Sequence, residues 1–258
     1  MNEGLVSIII PTLNEEKYLP KLLKSISEQT YKNYEIIVAD AGSIDNTVSI
    51  ANDYGAIVVK GGKPAVGRNN GTKVSRGEYL IFLDADVILP KDFLSKAIQD
   101  FDYHYYEVAT FSFEPISKLK IDKILFKIAN ILVRRTRKLY PLAPGFCIMS
   151  TRRLFRRIGG FDETLYLAED HDFVRRASKL AKFGIIKETK VEVSVRRLEK
   201  EGRVNLVRKY FQAEIYRALK GKIDKEILEY EFGKFQNTSN MSEFEKFLER
   251  ILRFLIRD

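Results

Sequence analysis

An α/β fold, with a mainly parallel sheet covered by helices on both faces, is predicted by three observations. Short apolar runs of strand length alternate with helical stripes from the amino terminus to about residue 86. Each connection between successive strand runs is long enough to carry a crossover helix. Acidic residues cluster just after the strand runs, where such sheets bind their ligands.

Ser7–Ile10 is a buried-type strand run that ends at Pro11, where Pro-Thr-Leu-Asn opens a loop. Glu15 to Gln29 then carries Leu19, Leu22, Leu23 and Ile26 on one helical stripe. Glu35–Ala39 is the second strand, closed by Asp40. Gly42-Ser43 turns the chain, and Asp45 or Asn46 caps a helix through Val48, Ile50 and Ala51. Ala56–Val59 is the third strand. A loop bearing Gly61, Gly62 and Gly67 leads to a helix near Asn69–Ser75, and Tyr79–Leu83 is a fourth strand ending at Asp84-Ala85-Asp86. Beyond residue 87 the alternation weakens. Val108–Phe113 and Phe146–Ser150 read as strands, with 116–139 helical between them. A helix over 151–158 stops at Gly159-Gly160, and another spans Asp170–Leu180. Ile185–Ile186 and Val191–Val195 are short strands, and everything after Val204 is helical. The expected organisation is a domain over 1–203, split at 114 into two halves, with a helical extension over 204–258.

Composition narrows the class. The chain has 258 residues, 45% hydrophobic and 31% charged, which is a globular balance. A single cysteine, Cys147, excludes a disulfide framework and suits a reducing compartment. No apolar window approaches the eighteen residues needed to cross a bilayer. The opening MNEGLVSIII has no basic stretch before its apolar run and reads as a strand, so a cytoplasmic location is expected. The net charge of +9 is unevenly placed. Residues 1–114 hold 11 bases and 16 acids, 115–160 hold 12 bases and one acid (Asp122), and 161–258 hold 21 and 18. Anionic substrate, membrane surface and nucleic acid all attract such a basic stretch. It lacks the interleaved aromatics of a nucleic-acid surface, so no nucleic-acid partner is expected.

Asp84 and Asp86 leave a buried strand on the ligand side of the sheet. Carboxylates two residues apart on extended backbone point the same way. A hard divalent ion such as Mg2+ or Mn2+, itself holding a diphosphate, is their natural neutraliser, with a pair of solvated turn aspartates as the plainer reading. Glu169-Asp170-His171-Asp172 gathers carboxylates at a helix start, as helix-favourable acids or as a general base. With two histidines and one cysteine, zinc clusters and Cys/His catalysis are not expected. No phosphate-loop, dinucleotide or serine-elbow motif is present.

Five motifs in order carry a resemblance. These are Ser7-Ile-Ile-Ile-Pro-Thr-Leu-Asn-Glu-Glu16, Ile37-Val-Ala-Asp40-Ala-Gly-Ser43 with Asp45-Asn-Thr47, Gly67-Arg-Asn-Asn-Gly71, Gly77-Glu-Tyr-Leu-Ile-Phe-Leu-Asp84-Ala-Asp86, and Gly159-Gly-Phe-Asp-Glu163 before Glu169-Asp170. Over roughly residues 5–200 the chain resembles the family 2 glycosyltransferases, nucleotide-sugar enzymes of the Rossmann-like GT-A type. The resemblance implies that Pro11, Thr12, Asn14 and Glu15 line a nucleoside pocket and that Asp40 recognises base or ribose. It implies that Arg68 approaches the nucleotide, and that Asp84 and Asp86 hold ribose and metal–diphosphate, with Asp86 the firmer metal ligand. Asp170 is then the base of an inverting single displacement, with Mn2+ or Mg2+ as cofactor. Ala41 stands where the family often has a second acid. The Q-x-x-R-W signature of processive synthases is missing, so a non-processive enzyme is expected. Ser194-Val-Arg196-Arg197 resembles a basic segment that contacts diphosphate in some subfamilies, with two solvated arginines as the equal alternative.

Ile121, Ile124, Leu125, Ile128 and Leu132 fall at helical spacing among Lys120, Lys123, Lys127, Arg134 and Lys138. Such a helix lies in a membrane interface or packs on the domain with its lysines in water. The interfacial reading implies a peripheral position at the cytoplasmic face and a lipid-linked acceptor such as a polyprenyl phosphate. A stripe of Phe244, Phe247, Leu248, Ile251, Leu252 and Leu255 reads as packing on the body or on a second copy in a homodimer. Two other classes compete with glycosyl transfer. A sugar-phosphate nucleotidyltransferase needs a glycine-rich phosphate loop after the first strand, which Pro11–Glu16 is not. A basic nucleic-acid-binding protein needs a recognition motif that the chain lacks.

Overall fold

The computed structural model describes residues 4–209. The C-terminal stripe from Phe244 to Leu255 lies outside the described residues. The first half runs β1 (Val6–Thr12), α1 (Leu19–Ser27), β2 (Tyr34–Asp40), α2 (Thr47–Asp53), β3 (Ile57–Lys60), α3 (Pro64–Val74) and β4 (Tyr79–Leu83). Then come β5 (Val87–Ile88), α4 (Phe93–Tyr103), β6 (Val108–Ile116), α5 (Lys120–Thr136), β7 (Cys147–Thr151), α6 (Arg152–Ile158), α7 (Glu169–Ser178), β8 (Phe183–Ser194) and α8 (Arg196–Glu201). They form one sheet of eight strands in the order β3-β2-β1-β4-β7-β6-β8-β5.

The expected parallel sheet is present from β3 to β4, where every pairing is parallel. The other half is mixed. β7 runs antiparallel to both β4 and β6, β8 is parallel to β6, and β5 closes the edge antiparallel to β8. Strand β1 extends past the expected stop, because Pro11 and Thr12 still pair with Ala39 and Asp40 of β2. Its ladder to β4 ends at Ile9↔Phe82, so Pro11 lies beyond β4's hydrogen bonds and its missing N–H costs the sheet nothing there. The two short strands expected near 185 and 191 are one strand, β8, which absorbs a register shift opposite Phe111 and Ser112.

Apolar burial, more than local capping, fixes the helices. Helix α1 has no side-chain cap, yet Leu19, Leu22, Leu23 and Ile26 are fully buried. At about 1.5–3 kcal/mol for each such side chain, that burial outweighs the roughly 1 kcal/mol a cap contributes. Helix α3 begins a turn and more before the expected Asn69, with Pro64 in its first turn where a missing N–H is harmless. It lies close on the sheet because it has glycines where it meets β1. A Cβ at Gly67 would come 3.1 Å from Cβ of Pro11, and one at Gly71 would come 2.5 Å from Ile9. Below α6 and α7, Phe82, Phe155, Phe161 and Phe173 form one aromatic cluster, with Phe161 and Phe173 stacked at 4.2 Å.

Helix α5 divides its apolar stripe between two environments. Ile121 and Val133 are buried, and Phe126 and Ala129 pack on the main core. Asn130 brackets Phe113, accepting from its N–H and donating to its carbonyl. Asp122 is completely buried and is held by Arg203 at 2.6 and 3.0 Å and by the Ser117 hydroxyl at 2.6 Å. Ile128, Ile131 and Leu132 face outward at 47%, 41% and 53% exposure. The stripe is wider than the groove that receives it. Leu125 and Phe126 also touch a small cluster of Val195, Leu198 and Leu206, which ties α5 to α8.

Gly71→Ala tests the close approach of α3. Alanine would gain up to about 1 kcal/mol of helix propensity, but overpacking against the stiff, buried Ile9 costs about 1–3 kcal/mol. A net loss of roughly 1 kcal/mol in urea-unfolding free energy is expected.

Candidate functional site

The carboxyl ends of β1, β2 and β4 open onto one edge of the sheet, and two loops there are stapled together. The Asn14 N–H donates to Ser43 Oγ at 2.8 Å, the Ile44 N–H to Asn14 Oδ1 at 2.9 Å, and the Glu15 N–H to Thr47 Oγ1 at 2.8 Å. Asn14 adopts a left-handed conformation, φ 55°, which asparagine tolerates better than most residues. Asp40 is the hub of the staple. Its Oδ1 accepts from the N–H groups of Gly42 and Ser43, and its Oδ2 accepts from the hydroxyls of Thr12 and Ser43. Four donors fill the lone-pair sites of a carboxylate. Asp40, at 8% exposure, thus shapes the loop with both oxygens, and Thr12 is buried beside it.

Asp84 and Asp86 emerge from β4. The Asp84 N–H donates to the Phe146 carbonyl at 3.2 Å, which joins the end of β4 to the start of β7. Asp84 is the more open carboxylate, at 41% side-chain exposure, and Asp86 is nearly covered at 14%. Burial pushes the Asp86 carboxyl upward, and the nearby Arg196 cation works against that. Glu15 behaves in the same way, raised by burial and opposed by its hydrogen bond and charge from Arg196.

Arg68 lies beneath this edge, at 2% exposure. One terminal nitrogen reaches Glu169 at 2.6 Å, and the other reaches Asp84 and the Gly145 carbonyl, both at 3.1 Å. Arg68, which the resemblance sets approaching the nucleotide, fastens β4, the 137–146 segment and α7 together through these terminal nitrogens. Burial and the neighbouring Asp170 raise the Glu169 carboxyl, while the Arg68 charge opposes them.

Helix α7 presents Asp170 next to this pair. The preceding Ala168 is left-handed at φ 63°, a strained state for alanine and one that clusters at functional sites. Gly145 makes room for the carboxylate, since a Cβ there would stand 2.7 Å from Asp170 Oδ2. A second bracket holds the approach to α7. Asn69 of α3 donates to the Phe161 carbonyl at 2.8 Å and accepts the Phe161 N–H at 2.9 Å. That pair of bonds joins the Gly67-Arg-Asn and Gly159-Gly-Phe motifs in space. A cavity of about 400 Å³ by Asn69, Gly160, Phe161 and Arg176 includes none of Asp84, Asp86 or Asp170 in its lining.

Glu15 and Asp86 converge on Arg196, the first residue of α8. Its terminal nitrogens bond both Glu15 oxygens at 2.7 and 2.8 Å, and its Nε lies 2.7 Å from Asp86 Oδ2. Its guanidinium stands over the Tyr18 ring at 4.4 Å. Among the described residues, no group of three or more His, Cys, Asp or Glu side chains is arranged to hold a metal ion alone. Asp86, aided by Asp84, nevertheless suits Mg2+ or Mn2+, which take one or two protein carboxylates and complete their shells with phosphate oxygens and water.

The pattern of Glycosyl transferase family 2 matches residues 7–158, from β1 through α6. The chain belongs to that family. It is 29% identical over 183 residues to a poly(ribitol-phosphate) β-N-acetylglucosaminyltransferase, TarS, of Staphylococcus aureus, covering 66% of this chain and 32% of TarS. It is 32% identical over 190 residues to an uncharacterized glycosyltransferase of Rickettsia typhi, covering 65% of this chain and 57% of that protein. The chain thus spans about a third of TarS and little more than half of the rickettsial relative. Crystalline TarS 1–349 superposes with a TM-score of 0.61 at 24% identity, over 78% of this chain and 64% of that one. A mannosyltransferase of Pyrobaculum calidifontis in complex with GDP-Man and Mn2+ superposes at 0.63 and 23% identity, over 82% and 64%. These likenesses establish the GT-A type fold expected from the sequence.

Sequence reasoning passed over three features of the site: the partnership of Arg68 with Glu169, the room left by Gly145, and the reach of Arg196 to Asp86. Arg196 was visible as part of a basic segment, but its partners lie 110 and 181 residues away, beyond any local pattern.

Arg68→Met checks the buried pair. It leaves Glu169 desolvated without its cation, so a loss of about 3–5 kcal/mol in unfolding free energy is expected. Asp170→Asn should leave the urea midpoint within experimental error of the parent.

Proposed function

We propose that this protein is an inverting, non-processive, metal-dependent glycosyltransferase that moves one sugar from a nucleoside-diphosphate sugar to an acceptor hydroxyl or phosphate. The observation that carries this reading is the convergence of Asp84 and Asp86 at the end of β4 with Asp170 at the start of α7, linked through Arg68 and Glu169. Pro11 and Thr12 at the end of β1, with Asn14 and Glu15 on the loop that follows, flank the nucleoside side of the edge. Asp40 keeps those loops in shape. Asp170 accepts the proton of the acceptor as its oxygen forms a bond to the anomeric carbon. The bond from that carbon to the diphosphate breaks in the same step, and its electron pair leaves with the nucleoside diphosphate. A divalent cation held by Asp86 and Asp84 would stabilise the negative charge that develops there. A single displacement inverts the anomeric centre.

The donor family is a nucleotide sugar, in keeping with the UDP-GlcNAc complex of TarS and the GDP-Man complex of the archaeal enzyme. Thermal-shift measurements with nucleoside diphosphates, with and without Mn2+, identify the base. One nucleotide should stabilise the protein only when metal is present, and no metal-dependent shift with any nucleotide would count against the assignment. Asp170→Asn should lower transfer by about 10²–10⁴-fold while nucleotide binding persists. NMR of the product should show the anomer opposite to the donor's.

The outer face of α5 supports a membrane-side acceptor. Lys118, Lys120, Lys123, Lys127, Arg134, Arg135 and Lys138 are exposed around Ile128, Ile131 and Leu132, and the one acid of residues 115–160 is buried under Arg203. That surface offers apolar side chains and cations with no competing carboxylate of its own stretch. Each base near an anionic leaflet contributes about 1 kcal/mol. No helix among the described residues is long and apolar enough to cross a membrane. On this reading the protein docks peripherally, at the cytoplasmic face, and takes a lipid-linked phosphate acceptor such as a polyprenyl phosphate. In co-sedimentation, it should follow anionic vesicles and leave neutral ones, and the double change Lys127→Glu and Arg135→Glu should weaken the association. Equal, negligible binding to both vesicles would favour a water-soluble acceptor.

A further inference from the structure

Arg196 makes more contacts than a helix anchor needs. All three guanidinium nitrogens are engaged, two on Glu15 and one on Asp86, and the three side chains are only 10–14% exposed. The Tyr18 ring covers the guanidinium face. Two largely buried carboxylates from different loops require a cation between them, since leaving either charge desolvated and unpaired is costly. In this structure that cation is the side chain itself, and it lies against Oδ2 of Asp86, the carboxylate that would hold a divalent ion in the reading above.

The backbone around Arg196 links it to the same strands. The Ser194 N–H donates to the Asp86 carbonyl at 3.1 Å, and Val87 of β5 pairs with Val193 of β8. Those contacts fix β8 against the metal-motif loop. Arg196 itself follows the end of β8, in a helix of six residues attached through Val195, Leu198 and Leu206. The carboxylates thus sit on loops that follow β1 and β4, and the arginine comes from a separate short helix that follows β8.

We propose that Arg196 is the resident counter-cation of the Asp86–Glu15 pair and that it excludes a free divalent ion. Only the ion joined to a nucleoside diphosphate displaces it, because the diphosphate supplies the remaining metal ligands and a new anionic partner for the released guanidinium. Metal and donor then enter together, and a bare metal ion binds poorly. This inference rests on Asp86 as the metal ligand in the reading above. An arginine that merely fastened α8 would affect stability and leave metal affinity unchanged.

The test is Mn2+ binding followed by the EPR signal of the free ion, with no sugar donor and no turnover. The protein as it stands should take up Mn2+ weakly alone and more tightly with the nucleoside diphosphate found by the donor screen. Arg196→Gln should raise the affinity for Mn2+ alone by about tenfold or more, as expected if the arginine leaves the carboxylates free about a tenth of the time or less. Arg196→Lys, which keeps one charge but cannot bridge both partners, should fall between and serves if the glutamine variant folds poorly. Adding Asp86→Asn to either variant should abolish the gain. Unchanged or weaker Mn2+ affinity in both arginine variants, with Mn2+–nucleotide binding intact, would overturn the exclusion while leaving the enzyme assignment standing. If the unaltered protein takes up no Mn2+ even with nucleotide, the metal reading fails, and the exclusion with it.

Discussion

A guanidinium taken out of water needs carboxylates or carbonyls to meet its charge, and Arg68 imposes that constraint on the site. It projects from α3 and is almost fully buried, and its partners come from β4, from the segment before β7 and from α7. Losing the Glu169 contact would leave a charge in a dry environment, so the elements that bear Asp84 and Asp170 cannot drift independently. Asp84 is held in place from below while its upper side remains open to solvent. Glu169 spends its charge on Arg68, which leaves its neighbour Asp170 to face outward. The Arg68 Nε has no hydrogen-bond partner among the described residues. Two strong terminal interactions tolerate that loss.

The two arginines divide the work by burial. Arg68 is a permanent part of the frame, paired inside the body. Arg196 is paired on Glu15 and Asp86, carboxylates from two different loops. Glu15 and Asp86 come from the acidic first half of the chain, and the basic helix α5 touches the arginine's own helix through Leu125 and Phe126.

Much of this was legible in the sequence wherever local pattern governs. The strand of Tyr79–Leu83 and its trailing aspartates lie where the apolar run places them, and Gly159 ends α6 in the left-handed conformation that glycine favours. The errors have physical causes. Helix α3 was expected to begin near Asn69 because Gly61 and Gly62 read as loop, although Pro64 is itself a helix-start signal. Strand β8 looked like two because the charged Lys187-Glu188 and Lys190 interrupt its apolar run, at the register shift against β6. The direction in which Arg68 points depends on glycines that bring α3 close to β1, and no property of the arginine announces it. Membership in a family supplied residue roles that periodicity could not. It said nothing of the four donors from Thr12, Gly42 and Ser43 that hold the Asp40 carboxylate.

The reversal at β7 has a consequence for how such a protein can be diversified. Because β7 runs antiparallel to β4, its leading end lies beside the trailing end of β4, and the connection from α5 enters the site at Gly145 and Phe146. The core registers of β1, β2 and β4 do not depend on the length of that connection. Changes of length or chemistry between Arg137 and Leu142, ahead of the buried Ala143, can therefore reach the edge beside Asp84 while the pairing of β1, β2 and β4 stays as it is.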